Sequence, residues 1–276
     1  MGELLPVNRF FKDIKKYFRY ARYSARSQLK AEVAGSHLNW LWWILEPVCF
    51  MLVYTLVFGV ILPRKIDNFS IFVFIGLTVW NLFNKTVTNS VRIVKMNKSV
   101  VSKIYLPKYI LVLVRLFVNL FKAIISLGIV AVMMLIMQVP LSIHAWNVLP
   151  AFLILSVFTF GISTILMHFG VFVEDLENII RVVLQLVFYM SGIFYDLYDS
   201  LISNATFAPF AGYALRCNPI AFFSTLCRTV LLEQQCPSVN DYITMGLWAV
   251  VSVGLVALGV HLVYKYENSY AKIDQL

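Results

Sequence analysis

The feature that most constrains the fold is a series of apolar runs, each about as long as a bilayer is thick, separated by short polar turns. A transmembrane helix needs roughly 20 apolar residues, because each residue adds about 1.5 Å and the hydrocarbon core is about 30 Å thick. The predicted spans are residues 40–62, 69–90, 109–137, 146–173, 179–195 and 243–264. The sequence therefore predicts an all-α membrane protein with six transmembrane helices.

Composition supports this class. The 276 residues are 60% hydrophobic and 13% charged, with a mean hydropathy of +0.79, which leaves too little polar surface for a soluble globule of this size. The formal net charge is +9, and the basic residues concentrate at the predicted cytoplasmic membrane borders. Anionic lipid headgroups and membrane orientation account for that charge, so we expect membrane lipid as a partner and no nucleic acid.

Residues 91–108 form a basic loop between the second and third predicted spans. From residue 80 to residue 117 the chain contains lysines and arginines but no acidic residue, and such an excess marks the side of the membrane that is not translocated. The loop is therefore predicted to be cytoplasmic, as are both termini. Apolar residues such as Met96 and Ile104 alternate with its charges, which is typical of a short surface helix that another protein contacts.

Residues 1–39 predict an amphipathic helix at the cytoplasmic membrane interface. At 100° per residue, apolar side chains gather on one arc and basic side chains on the neighbouring arc. The apolar arc contains Phe11, Ile14, Phe18, Ala21, Ala25 and Leu29. The remaining residues, 40–276, are predicted to form one transmembrane domain.

Residues 196–242 contain apolar runs that prolines and charged residues interrupt, so no stretch there is long enough to span. We expect an outer segment with re-entrant helices before the last span, since irregular backbone at membrane depth must be covered by protein. A disulfide between Cys217 and Cys236 stays open at this point, as does the alternative of free thiols. The four cysteines form no metal-binding pattern, and no metal site is predicted.

Polar residues interrupt three predicted spans at helical spacing and lie toward their cytoplasmic halves. One interpretation is a hydrated path for a polar or anionic substrate; the other is that these groups snorkel or satisfy one another, with Glu46 as a partner. Trp80 lies near mid-span, where it either stacks on a sugar ring or simply packs. The candidate substrate-path residues are Trp80, Asn84, Lys85, Arg115, Asn119, Lys122, Arg181 and Gln185.

No catalytic constellation is evident, and the phosphate-binding pattern GxxxxGK[ST] does not occur. The chain is therefore interpreted as a transport subunit and not an enzyme. If ATP drives the transport, hydrolysis must take place on another chain.

Four stretches resemble the ABC-2 type polysaccharide export permeases. The family's first-span signature resembles the run GSHLNWLWWILEPVCFMLVYTLVFGVIL, and a second family run resembles NKSVVSKIYLPKYILVL, with Asn97, Lys103, Pro107 and Lys108 in register. The acidic turn and fifth span resemble FVEDLENIIRVVLQLVFYMSGIFYD, and the following Asn-Pro run resembles LRCNPIAFFSTLCRTVLL. The chain departs from the family where Gly192 replaces a common proline, where Glu174 replaces an arginine, and where Lys108 replaces an arginine.

The resemblance implies a homodimer joined by two nucleotide-binding subunits, which bind ATP and Mg²⁺, in a bacterial cytoplasmic membrane. It implies a lipid-linked polysaccharide as substrate, such as O antigen, capsule or teichoic acid. The predicted contact with the ATPase subunit consists of Lys95, Met96, Asn97, Lys98, Lys103, Ile104, Pro107 and Lys108. Two alternatives stay open: a drug or small-lipid exporter of the same class, and a secondary transporter, which often shows internal repeats.

Overall fold

The computed structural model describes residues 6–35, 37–61, 66–101, 105–203 and 206–266, and these residues form helices without β-strands. The longer helices are α1 (Pro6–Val33), α2 (Trp42–Thr55), α3 (Phe69–Val91), α6 (Tyr109–Ile136), α7 (Val148–Phe172), α8 (Leu176–Met190), α11 (Pro219–Leu231) and α12 (Val239–Lys265). The short helices are α4 (Ile93–Met96), α5 (Lys98–Val101), α9 (Leu197–Ile202) and α10 (Ala211–Cys217). The all-helical prediction is confirmed for these ranges.

Among the described residues, four helical segments are long and apolar enough to cross a membrane. They are Phe69–Val91, Tyr109–Ile136, Ile143–Phe172 and Val239–Lys265, and they coincide with the predicted second, third, fourth and sixth spans. Helix α2 contains Pro47 and continues as a π-helical segment, Leu56–Ile61. Helix α8 has 15 residues where residues 179–195 were expected to span. The count of six spans stays a prediction.

Helix α3 is the centre of the bundle. Every side chain from residue 71 to residue 80 is buried, and the helix packs against α2, α6, α7, α8 and α11. A helix that is apolar all round is stable when it is surrounded by other helices. The central position of α3 explains why its polar residues, such as Thr86, find partners in neighbouring helices rather than in lipid.

Helix α1 packs along α6 and also contacts α12. Ala21, Ala25 and Leu29 of the predicted apolar arc are buried, whereas Phe11 and Phe18 are 64% and 46% exposed. The Phe18 ring lies 5.8 Å from the Phe117 ring of α6, centroid to centroid. The sequence predicted an amphipathic helix whose apolar arc lies in the membrane interface. In the structure, three residues of that arc, Ala21, Ala25 and Leu29, are covered by protein.

Residues 196–242, the segment that was predicted to lie on the outer side, contain α9, α10 and α11. The Asn218 side chain accepts hydrogen bonds from the backbone N–H groups of Ile220 and Ala221, and Pro219 occupies the first helical position of α11. Both features stabilise a helix N-terminus, because they satisfy or remove backbone donors that have no partner in the helix. All four cysteines are free thiols, so the structure contains no bond between Cys217 and Cys236.

Arg228 of α11 is buried, with 4% of its surface exposed, and it joins three segments. Its Nε donates to the Phe72 carbonyl at 3.1 Å, and its two terminal nitrogens donate to the carbonyls of Gly192 and Ile193 at 2.9 and 3.0 Å. Gly192 has φ +63°, a left-handed conformation that glycine adopts readily. A proline there, with φ fixed near −65°, would be incompatible with this turn.

Candidate functional site: a polar cavity between α2, α3, α6 and α8

A cavity of about 260 Å³ opens between α2, α3, α6 and α8. Its aromatic lining comes from Trp43, Phe50, Tyr54, Trp80 and Phe188, and its polar lining comes from Glu46, Thr78, Asn81, Lys85, Asn119, Lys122 and Ser126. Aromatic faces beside a few charged groups are typical of a ligand site. The volume is near the lower end of small-molecule pockets, which begin at about 300 Å³. We call this space the polar cavity.

Half of the predicted substrate-path residues meet in the polar cavity. Trp80 and Lys85 reach it from α3, and Asn119 and Lys122 reach it from α6. These four residues therefore border one space, whereas their role as a substrate path stays a prediction. The sequence did not reveal that α2 contributes Trp43, Glu46 and Tyr54 to the same space.

The other four predicted residues do not line the polar cavity. Asn84 accepts a hydrogen bond from Thr88 within its own helix, at 3.3 Å. Arg115 lies one turn closer to the start of α6 than Asn119, and its Nε is buried without a hydrogen-bond partner among the described residues. Arg181 and Gln185 are exposed on α8, whose residue at the cavity is Phe188, one to two turns further on.

Both lysines of the polar cavity are held in ion pairs. Lys85 Nζ lies 2.7 Å from Glu46 Oε1 of α2, and Lys122 Nζ lies 2.7 Å from Glu32 Oε2 of α1. One of the two interpretations of the polar stripes was that their groups pair with one another or with Glu46. Lys85 follows that interpretation, since it pairs with Glu46. The lysine side chains are 36% and 24% exposed, so neither pair is sealed from its surroundings.

Asn119 and Thr86 form a buried polar contact between α3 and α6. The Asn119 amide donates to Thr86 Oγ1 at 2.8 Å, and the Thr86 hydroxyl donates to the Leu82 carbonyl at 2.7 Å. Breaking a buried hydrogen bond on one side leaves the other group unsatisfied, at a cost of about 1–3 kcal/mol. The hydrogen bond to Thr86 therefore fixes the Asn119 side chain at the interface between α3 and α6, where it also lines the polar cavity.

Trp80 has only 6% of its surface exposed. Its ring lies 5.1 Å from the Phe188 ring and 6.2 Å from the Phe83 ring, centroid to centroid. Most of the indole therefore packs against other aromatic rings, which agrees with the interpretation of Trp80 as a packing residue. The indole still borders the polar cavity, where a ligand would contact its edge.

The described part of the basic loop contains α4 and α5 and presents several predicted contact residues to solvent. Lys95, Met96 and Lys98 are exposed, with Met96 at 63%. Two predicted contact residues are less accessible: the Asn97 amide donates to the Ile93 carbonyl at 2.7 Å, and Pro107 is buried. Lys108 is half-buried. Lys103 and Ile104 lie outside the described residues.

Glu177 joins the start of this loop to α8. Its side chain is 11% exposed and forms ion pairs with Arg92, the residue after α3, and with Arg181, one turn along α8. The sequence indicated an acidic turn at residues 174–178, after the fourth predicted span, but it indicated no partner for that turn. Since Arg92 and Glu177 are far apart in the chain, only the packing of α3 beside α8 brings them together.

A second set of contacts joins α1 to the other end of the loop. The hydroxyls of Tyr109 and Tyr264 donate to Asp13 Oδ2 at 3.0 and 3.1 Å. Arg9 donates to the Tyr105 hydroxyl at 2.6 Å, and the Tyr17 hydroxyl donates to the Tyr105 carbonyl at 3.1 Å. The loop is thus fixed at its start to α8 and at its end to α1.

The fold is that of a helical membrane protein with a polar cavity and an exposed basic loop. No family model matches the chain. The chain is 28% identical over 236 residues to an O-antigen export system permease protein of Myxococcus xanthus, covering 82% of this chain and 87% of that protein. It is 25% identical over 246 residues to two such proteins of Klebsiella pneumoniae, covering 89% of this chain and 91% of each.

These relatives confirm the resemblance predicted from the sequence, which is to ABC-2 type polysaccharide export permeases. The similarity extends over most of the chain and of each relative. The relatives are named as permeases, that is, as transport proteins.

Proposed function

We propose that this chain is the transmembrane subunit of an ATP-driven exporter that moves a lipid-linked polysaccharide outward across the cytoplasmic membrane. The substrate class is that of O antigen, capsule or teichoic acid. The functional unit is a homodimer with two separate nucleotide-binding subunits, and both termini are cytoplasmic. The proposal is supported by the relatives named as O-antigen export permeases and by the absence of a phosphate-binding loop from the sequence.

The polar cavity is the observation that carries the proposal. A lipid-linked glycan joins sugar rings to a lipid through phosphate groups, so its recognition requires aromatic faces and cations in one place. Trp80 and Phe188 supply aromatic surface, and Lys85 and Lys122 supply cations. The cavity is smaller than a polymer, which fits a conformation in which the path is closed. The path would alternately open and close between two copies of the chain, and the opening step would enlarge the polar cavity.

The basic loop carries the motion of the ATPase subunits to the path. Exposed Lys95, Met96 and Lys98 dock on the nucleotide-binding subunit, since they are free on the surface and combine charge with apolar area. The ion pairs of Glu177 then transmit a displacement of the loop to α8, which carries Phe188 at the polar cavity. Lys103 and Lys108 belong to the proposed docking surface as the resemblance implies.

The experiment is export of lipid-linked glycan per assembled complex, after the chain is purified with its ATPase subunits and reconstituted in vesicles. Lys122→Met should lower export and leave assembly and ATP binding intact, because Lys122 lines the polar cavity. Arg115→Met should retain export, because Arg115 does not line it. The control variant is Lys65→Met, because Lys65 belongs to the turn between the first and second predicted spans.

Three results would contradict the proposal. Normal export by Lys122→Met would remove the polar cavity from the path. Failure of any ATPase to copurify would favour a secondary transporter. Export of a small lipid or drug with no glycan transport would favour the alternative exporter of the same class.

A further inference from the structure

The two lysines of the polar cavity are each paired with a carboxylate from a different helix. Glu46 comes from α2 and Glu32 comes from α1, and each carboxylate oxygen lies 2.7 Å from its lysine nitrogen. The four side chains together carry no net charge. An anionic ligand that entered the cavity in this conformation would find both cations already occupied.

The ion pairs are accessible enough to be exchanged. Glu46 and Glu32 are 45% and 35% exposed at the side chain, and neither has a second ion-pair partner among the described residues. Where water fills the polar cavity, ion pairs with this exposure are weak, because water solvates the separated charges. A diphosphate carries at least two negative charges and more acceptor oxygens than a carboxylate, so it competes well for two ammonium groups.

We propose that Glu46 and Glu32 act as internal competitors for the anionic headgroup of the substrate, holding Lys85 and Lys122 until a diphosphate displaces them. This inference rests on the proposed function, since it takes the polar cavity to be the substrate path. It assigns a role in setting affinity to two acidic residues outside the predicted substrate-path set. The ligand chemistry is a diphosphate attached to a lipid.

The position of Glu32 relates this exchange to the basic loop. Glu32 lies near the end of α1, and the same helix is bonded to the loop through Arg9 and to the start of α6 through Asp13. A displacement of α1 with the loop would withdraw the Glu32 carboxylate from Lys122. Release of the lysine and movement of the loop would then occur together.

Equilibrium binding to the full purified chain tests the inference, with geranylgeranyl diphosphate, geranylgeranyl monophosphate and geranylgeraniol as ligands. Glu46→Gln and Glu32→Gln should each bind the diphosphate about two- to fivefold more tightly, the range expected when a half-exposed ion pair is removed. The double variant should bind the diphosphate more tightly than either single variant, because both lysines are then free of their carboxylates. Lys85→Gln and Lys122→Gln should bind the diphosphate more weakly.

Geranylgeraniol has no charge, so its binding should be the same in wild type and in both glutamine variants. Asp67→Asn is the matched control, since Asp67 is exposed on the outer turn and does not line the polar cavity. If a glutamine variant fails to fold, Glu→Asp at the same position shortens the side chain by one methylene and should also tighten diphosphate binding.

Unchanged or weaker diphosphate binding by the glutamine variants, with normal wild-type binding, would overturn the inference and leave the proposed function standing. Equal tightening for diphosphate and alcohol would also overturn it, because the effect would then not depend on charge. Absence of diphosphate binding by wild type and by every variant would overturn both the inference and the proposed use of the polar cavity.

Discussion

The guanidinium carbon of Arg228 lies 3.5 Å from the centroid of the Phe72 ring, while Arg228 Nε donates to the carbonyl of the same residue. Phe72 thus offers both its ring face and its backbone to one cation. With the bonds to Gly192 and Ile193, Arg228 fixes helix α11 and the turn after α8 to the central helix α3. Such a contact replaces water around a buried charge with fixed dipoles.

Arg228→Lys should destabilise the protein by about 2 kcal/mol or more. An ammonium keeps the charge but lacks the planar fork that reaches three carbonyls, so at least one buried carbonyl loses its partner. The measurement is thermal unfolding in detergent. Arg216→Lys on α10 is the control, since Arg216 is exposed. Equal unfolding temperatures for the two variants would contradict the role given to Arg228.

Gly76→Ala should destabilise the protein by roughly 1–3 kcal/mol, as overpacking of a core does. A Cβ at residue 76 would lie 2.4 Å from a terminal nitrogen of Arg228, which three hydrogen bonds and the Phe72 ring hold in place. Gly128→Ala on α6 is the control, because no atom lies within 4 Å of its Cβ position. That variant should be neutral or slightly stabilising, since alanine favours helix by about 1 kcal/mol over glycine.

The Gly76 prediction has a second check. In a double variant with Arg228→Met, the added methyl group meets a different side chain, so the two effects should not add. Fully additive losses would show that the methyl group acts through some other neighbour.

Glu177→Gln should lower export per ATP hydrolysed while stability changes by less than about 1 kcal/mol. Both arginine partners, Arg92 and Arg181, are more than half exposed at the side chain, so the pairs contribute little to folding. Their loss would still separate the basic loop from α8. Glu174→Gln, an exposed position three residues earlier, is the control. The idea fails if both variants show the same ratio of export to hydrolysis as wild type.

Asp13→Asn should loosen α1 from the rest of the protein. The Asp13 carboxylate accepts hydrogen bonds from Tyr109 and Tyr264, and a neutral amide oxygen is a weaker acceptor. Hydrogen exchange should increase along the first half of α1. Tyr23→Phe serves as the control, because Tyr23 is 77% exposed. Unchanged exchange in Asp13→Asn would mean that apolar packing alone holds the helix.

The sequence by itself determined the class of the protein and the position of most of its helices. Apolar runs of the length of a bilayer predicted α3, α6, α7 and α12, because solvation in lipid requires every backbone group to be bonded within the helix. The amphipathic pattern predicted α1, and helical spacing predicted that the polar residues of α3 lie on one face of that helix, as do those of α6. These are local or periodic signals, so they can be obtained from residue spacing alone.

The tertiary structure decided which of the polar residues meet. Lys122 pairs with Glu32, Arg92 with Glu177, and Arg228 with the Phe72 carbonyl, and in each case the two groups are far apart in the chain. Helical spacing predicts on which face of its own helix a residue lies. It does not predict which other helix packs against that face, or at which position along the axis the two helices touch. For that reason Lys122 and Arg115, alike by spacing, differ in the structure: one lines the polar cavity and the other does not.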